Sequence, residues 1–370
     1  MLWQCWHGLC TVPRNDMKFP SYLLGALGCL LSANTFAAAP IAPTPEEPAP
    51  VQRGTFSLYF ENDLFAGTDR YYTSGVKLGW TSTNLEKFSD TPYASPLQPL
   101  IDRLPFVNDP GYQKNLAFSF GQNIYTPDDT ESFEPVEGDR PYAGWLYVGV
   151  GLIWKNAEVR NSFVLNIGVV GGSWSLAEYA QSGVHAVRGL EIPNGWNNQL
   201  HNELGVLAVY ERTWRWPAKE RRVGLDWEFL PHAGAGVGNV RIFANAGAEL
   251  RVGINLPDDF GSAIIGPASV TPTPVEGAEQ ADRVRKFDIG MYVFARADGR
   301  AVAHDIFLNG NTFGDSVSVD HKPLVADLSV GAAINFKNTK FTYAVVYRTK
   351  EFETQEEAQL FGAVSLNFSF

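Results

Sequence analysis

The chain has 370 residues, a formal net charge of −11, 35 glycines and 13% aromatic residues. Outside the N-terminus it holds no apolar run of eighteen residues, which excludes a bundle of membrane-crossing helices, and the acidic balance argues against nucleic acid as a partner. All three cysteines (Cys5, Cys10 and Cys29) precede the expected cleavage site, so the mature chain uses neither disulfide nor thiol chemistry.

The N-terminal part, residues 1–39, is a signal and targeting region. Lys18 precedes an apolar run from Tyr22 to Leu31, and Ala37-Ala38-Ala39 offers a small-residue cleavage site. Residues 1–16 sit upstream of this pattern, which places the expected true start at Met17. Residues 40–52 form a leader with prolines at Pro40, Pro43, Pro45, Pro48 and Pro50, extended and semi-rigid.

From residue 53 onward the pattern is that of strands. Phe56, Leu58 and Phe60 alternate with Ser57, Tyr59 and Glu61, and Val76, Leu78 and Trp80 alternate with Lys77 and Gly79. Between these two runs lie Asn62, Asp63, Asp69 and Thr73, with Gly67 and Gly75 as punctuation. Further strands are predicted near 114–124, 142–154, 160–170, 203–214, 222–235, 240–255, 285–297, 323–336, 340–350 and 358–370. With those near 54–61 and 73–82 this makes twelve, an even number, as a closed barrel with both ends in the periplasm requires. Closure also removes the exposed edges of an open sheet. The last strand ends on Phe370 after alternating Leu360, Val364, Leu366 and Phe368, a pattern that resembles the C-terminal signature of bacterial outer-membrane barrels. The expected fold is therefore an all-β, closed antiparallel transmembrane barrel over 53–370 with long exterior loops, located in the bacterial outer membrane and monomeric. The segment 83–113 is expected to be a long periplasmic connection with one short helix around Leu97–Leu104. The parity of the strands puts the segments 62–72, 125–141, 171–202, 236–239, 298–322 and 351–357 on the cell exterior.

Three exterior features bear on chemistry. Asn62, Asp63 and Thr73 supply amide, carboxylate and hydroxyl oxygens, which suit a hard cation such as calcium; the same residue types also serve ordinary turns. Gln181 and His185 are four apart, so one helical turn would align them on one face. Glu191 follows beyond Gly189 and must fold back to reach the ring; a histidine with a carboxylate is the minimal general-base unit. His201, with Glu203 two residues on, is the rival histidine, expected to pack at the rim, and His304 beside Asp305 is expected in the fifth exterior loop. No Gly-x-Ser-x-Gly elbow and no His-Glu-x-x-His helix is present, so an enzyme of this sequence would use activated water.

Taken together, Asn62-Asp63, Tyr72-Thr73-Ser74-Gly75, Gly138-Asp139-Arg140-Pro141-Tyr142-Ala143-Gly144-Trp145-Leu146-Tyr147, Gln181, His185, Glu191 and Trp196 resemble the outer-membrane lipid A 3'-O-deacylases, over essentially the whole mature chain. The resemblance implies a twelve-stranded barrel that hydrolyses an acyl ester of lipid A in the outer leaflet. It implies His185 as the base that activates water, Glu191 as the group that orients and charge-stabilises the imidazole, and Asp63 as a calcium ligand. Asn62 and Thr73 would line the site near the ester, with Gln181 and Arg140 positioning substrate or loop. Leu64 stands where the family pattern can carry a second Asp, Pro193 where it carries Tyr, and Asp128, Asp129, Glu131 and Glu134 occupy the loop where a basic Lys-Arg pair is expected. Alternatives of a different kind are a phospholipase acting on glycerophospholipid and a non-catalytic barrel serving as pore or adhesin.

Overall fold

A computed structural model describes residues 54–63, 71–92, 95, 98–216, 225–262 and 289–370. The signal region, the Pro-rich leader, Gly67 and Asp69 lie outside the described residues. Twelve antiparallel strands close into one barrel, in which each strand pairs with its sequence neighbours. They are β1 (Thr55–Asn62), β2 (Tyr71–Thr81), β3 (Gln113–Thr126), β4 (Ala143–Lys155), β5 (Val159–Val170), β6 (Glu203–Trp214), β7 (Leu225–Gly238), β8 (Arg241–Ile254), β9 (Ile289–Asp305), β10 (Leu324–Phe336), β11 (Thr339–Arg348) and β12 (Gln359–Ser369). β1 pairs with β12 from Thr55↔Ser369 to Asn62↔Gly362, which closes the cylinder.

The alternation along each strand is inside-out. In β1 the exposed residues are Phe56, Leu58 and Phe60, and the buried ones are Thr55, Ser57 and Glu61, with Tyr59 among them. Apolar side chains that face outward belong against lipid, and polar ones that face inward belong in a barrel lumen. Trp80 stacks on Phe118, Trp216 meets Trp227 edge-on and Phe368 stacks on Phe370, all near the end that carries both barrel termini. These are the aromatic girdle of the periplasmic interface.

The lumen is filled. At its exterior half Tyr72, Tyr125, Trp145, Tyr147, Phe243 and Phe361 form one buried cluster with Phe307. Phe307 belongs to a single helical turn, Ile306–Asn309, which follows β9; the Asp305 carboxylate accepts from the Phe307 N–H, and the Phe307 ring stacks on Tyr125 at 4.2 Å. At the periplasmic half the segment after β8 enters the lumen. Asp259 accepts from Arg251 and, at 2.7 Å, from Lys340 of β11, while Asp258 pairs with Arg215 at 2.9 Å.

Two expectations change. Strand nine continues to Asp305, so His304 stands in a strand and not in a loop; its Nε2 meets the Asn239 carbonyl at 2.9 Å. The small residues of Ala301-Val302-Ala303 give little hydrophobic contrast, which hides the strand's upper end. The loop expected over 236–239 shrinks to Asn239-Val240, because β7 extends to Gly238, while β8 begins at Arg241. The short helix expected around Leu97–Leu104 is present as α1 (Gln98–Ile101).

Candidate functional site

Asn62 ends β1 with the same parity as Phe60, on the outer face near the exterior rim. Its amide donates to the Thr73 carbonyl at 2.9 Å. Thr73 itself sits in a β-bulge: β2 shifts register against β3 between Tyr72 and Ser74. A bulge re-aims the side chains around it. Here Tyr72 turns into the lumen, where its hydroxyl donates to Glu61 at 3.0 Å, while the Thr73 hydroxyl lies 2.8 Å from that of Thr126. Thr126 shares the outward parity of Phe118, Phe120 and Ile124 on β3. Asp63 follows Asn62 and is fully buried.

The wall beside them is covered by a helix. Ala177–Arg188, here α2, lies in the exterior connection between β5 and β6. Gly144 makes room for it, since a Cβ there would collide with Ser175 and Ala177. Gln122 of β3 donates to the Ser175 carbonyl at 2.6 Å, and Ile124, Tyr142, Ala177 and Trp196 pack together outside the barrel. β1 and β3 are two strand spacings apart, roughly 10 Å, so Asn62, Thr73, Thr126 and the start of α2 share one sector of the outer wall.

The polar face of α2 is turned toward that wall. Gln181 and His185 are both buried, one turn apart, as their spacing predicts. Gln181 accepts from the Trp196 indole at 2.9 Å. Gly189 ends the helix at φ +69°, the left-handed conformation that glycine adopts without strain. The chain then folds back so that the Glu191 carbonyl oxygen lies 2.5 Å from His185 Nδ1. A carbonyl oxygen only accepts. Nδ1 therefore carries a hydrogen, and in the neutral ring Nε2 is the basic nitrogen.

This corrects the expected pairing. Glu191 reaches the ring through its backbone, and its carboxyl is turned to Glu131. A hydrogen bond that Glu131 donates to Glu191, and then the Glu191 charge, raise the Glu131 carboxyl above its ordinary pKa. Arg140 also departs from a substrate-facing place. Its guanidinium lies 4.7 Å from the ring of the lumen residue Tyr125 and donates to Glu351 at 3.1 Å, which pins the loop before β4 to the loop after β11. Arg140 is thus separated from α2 by the wall. The rival His201 is exposed and holds Asn311 through its backbone only. Thr126 and Gln122 were not distinguishable in the sequence, because each reads as an ordinary strand residue until the bulge and α2 are placed against it.

Among the described residues no three His, Cys, Asp or Glu side chains cluster as a metal site. Asp63, Asn62, Thr73 and Thr126 offer one buried carboxylate, one amide and two hydroxyls at this end of β1, β2 and β3, hard oxygens of the kind calcium prefers.

A family model described as outer membrane protein LpxR matches residues 24–370. The solved structure of LpxR from Salmonella typhimurium is similar at a TM-score of 0.67 and 22% identity, covering 85% of this chain and 100% of that one, which shows the shared fold. The β domain of the Bordetella autotransporter BrkA aligns at a TM-score of 0.38 and 12% identity, covering 86% of this chain and 100% of that one. No curated protein matches. The chain belongs to the LpxR family of outer membrane proteins, the lipid A 3'-O-deacylase family whose motifs it carries.

Proposed function

We propose that this barrel removes an acyl chain from lipid A at the 3' position by hydrolysing its ester on the outer face of the wall. The observation that carries the reading is His185, held on the buried face of α2 with Nδ1 engaged by the Glu191 carbonyl, which in the neutral ring makes Nε2 the basic nitrogen. Water deprotonated by Nε2 attacks the ester carbon, and the same imidazole then returns the proton to the departing alkoxide. The Glu191 carbonyl fixes the ring and its tautomer through both steps. Gln181 keeps α2 in register by its bond to Trp196. Asn62, Thr73 and Thr126 line the opposite wall with oxygen and amide groups. Asp63, with Asn62 and Thr73, would hold calcium, which when bound would supply positive charge to the developing oxyanion. The closed sheet leaves no strand edge for a partner, which fits a monomer.

A second reading, hydrolysis of glycerophospholipid, is favoured by one observation: Asp128, Asp129, Glu131 and Glu134 stand where a basic pair would meet lipid A phosphates. The pore reading is opposed by a lumen occupied at both halves by Phe307 and by Asp259 with its cations. Purified barrel offered lipid A and a phospholipid separately, with and without a chelator, tests these readings. Release of a fatty acid from lipid A that chelation stops supports the first, and release from phospholipid alone replaces it with the second.

A further inference from the structure

The connection from β2 to β3 folds back onto the outer wall at the periplasmic end. Phe88, Ile101 and Val107 are buried against Leu116, Leu152 and Trp154. These three strand residues point outward, because they share parity with the exposed Phe118, Phe120 and Val148. Trp154 is 0% exposed although it stands on the lipid side of the barrel. Protein here takes the place that acyl chains hold elsewhere on the wall, so this shelf lies within the periplasmic leaflet.

Arg212 stands at the shelf's edge. It lies two residues from the periplasmic end of β6 and shares the outward parity of Leu204 and Trp214. Its guanidinium carbon is 4.1 Å from the centre of the Phe106 ring, on the shelf, and 5.7 Å from that of Trp214, in the girdle. Phe106 is itself exposed. The Tyr210 hydroxyl is hydrogen-bonded to the Arg212 guanidinium, while its Nε and Nη1 are buried without a hydrogen-bond partner, and no carboxylate pairs with it among the described residues. The lumen arginines differ: Arg215, Arg241, Arg251, Arg300 and Arg348 each meet an Asp or Glu. A charge held on the lipid-facing wall without a counter-ion is costly, and two aromatic faces fix its direction but do not neutralise it. The level of the girdle is the level of lipid head groups. The chemistry that completes this arrangement is a phosphate on an acyl-bearing lipid.

We propose that Arg212, between Phe106 and Trp214, binds the phosphate of a glycerophospholipid in the periplasmic leaflet, with the acyl chains lying along the shelf. The full-length barrel, purified in detergent, is titrated with dioleoyl phosphatidylglycerol and followed by native mass spectrometry, with dioleoylglycerol as the phosphate-free control. The wild type is expected to retain one phosphatidylglycerol and to release dioleoylglycerol. Arg212→Gln is expected to weaken retention at least about tenfold, the scale of one charge-assisted hydrogen bond, and Phe106→Ala to weaken it in the same direction. Ester hydrolysis in detergent is expected to be unchanged in both. Equal retention of phosphatidylglycerol by wild type and a folded Arg212→Gln overturns the proposal, as does equal retention of the two lipids by the wild type. Should Arg212→Gln fail to give the heat-modifiable folded band, unchanged retention by Phe106→Ala overturns it as well.

Discussion

His185 gains its chemical character from one backbone oxygen. Because the Glu191 carbonyl can only accept, a neutral ring bonded to it carries its hydrogen on Nδ1 and presents Nε2 as the base. Replacing the ring removes that base: His185→Ala is expected to lower ester hydrolysis by about 10²- to 10⁴-fold, the usual contribution of a positioned general base. Glu191→Gln keeps the carbonyl and is expected to lose less than about tenfold, since the carboxyl lies against Glu131 and not the ring. Rates of fatty-acid release from the two purified variants check both values. A loss in Glu191→Gln as deep as that in His185→Ala would mean that the carboxylate, and not the carbonyl, supports the imidazolium.

At the scale of elements, the site depends on a helix lying flat against a strand pair. Gly144 is the contact that admits it. Gly144→Val is expected to lift α2 from β4 and to remove most of the activity while the barrel still forms; heat-modifiable migration on a gel reports the barrel and ester hydrolysis reports the helix. The strands and the helix face were legible in the sequence for physical reasons. Lipid outside and polar groups inside impose a strict two-residue alternation on Phe56–Phe60 and Leu360–Phe370, and a four-residue spacing suffices to align Gln181 with His185. What escaped has no period to detect. The bulge at Thr73 adds one residue to a pairing that only the partner strand reveals. The fold-back after Gly189 brings a carbonyl where a side chain was expected. The apolar residues Phe88, Ile101 and Val107 are scattered through an irregular segment, so their common seat on the outer wall shows only once that wall exists.

For the whole molecule, stability rests on ionic clusters inside the cylinder as well as on its closed sheet. Asp259 crosses the lumen to meet Arg251 and Lys340. Burial alone would raise its carboxyl, but Lys340 and Arg251 outweigh this and hold it down at about 2. A carboxyl depressed on folding contributes stability that is complete above its unfolded pKa near 4 and is lost as pH falls from about 4 to about 2. This contribution is about 2 kcal/mol. The temperature of the folded-to-unfolded band shift should therefore drop over that acid range in the wild type. Asp259→Ala leaves Arg251 and Lys340 buried with less countercharge and should cost about 3–5 kcal/mol at neutral pH. At the exterior mouth Glu351 is similarly placed: burial raises its carboxyl, and Arg348 and Arg140 more than offset this, leaving it below the ordinary value.

The measurement that bears most directly on the central claim is mass spectrometry of lipid A from cells that express the wild-type chain, His185→Ala or no copy. Loss of the acyl group at the 3' position is expected only with the wild type. An unchanged lipid A in cells that carry folded wild-type barrel, or the same shortened lipid A with folded His185→Ala, would contradict it.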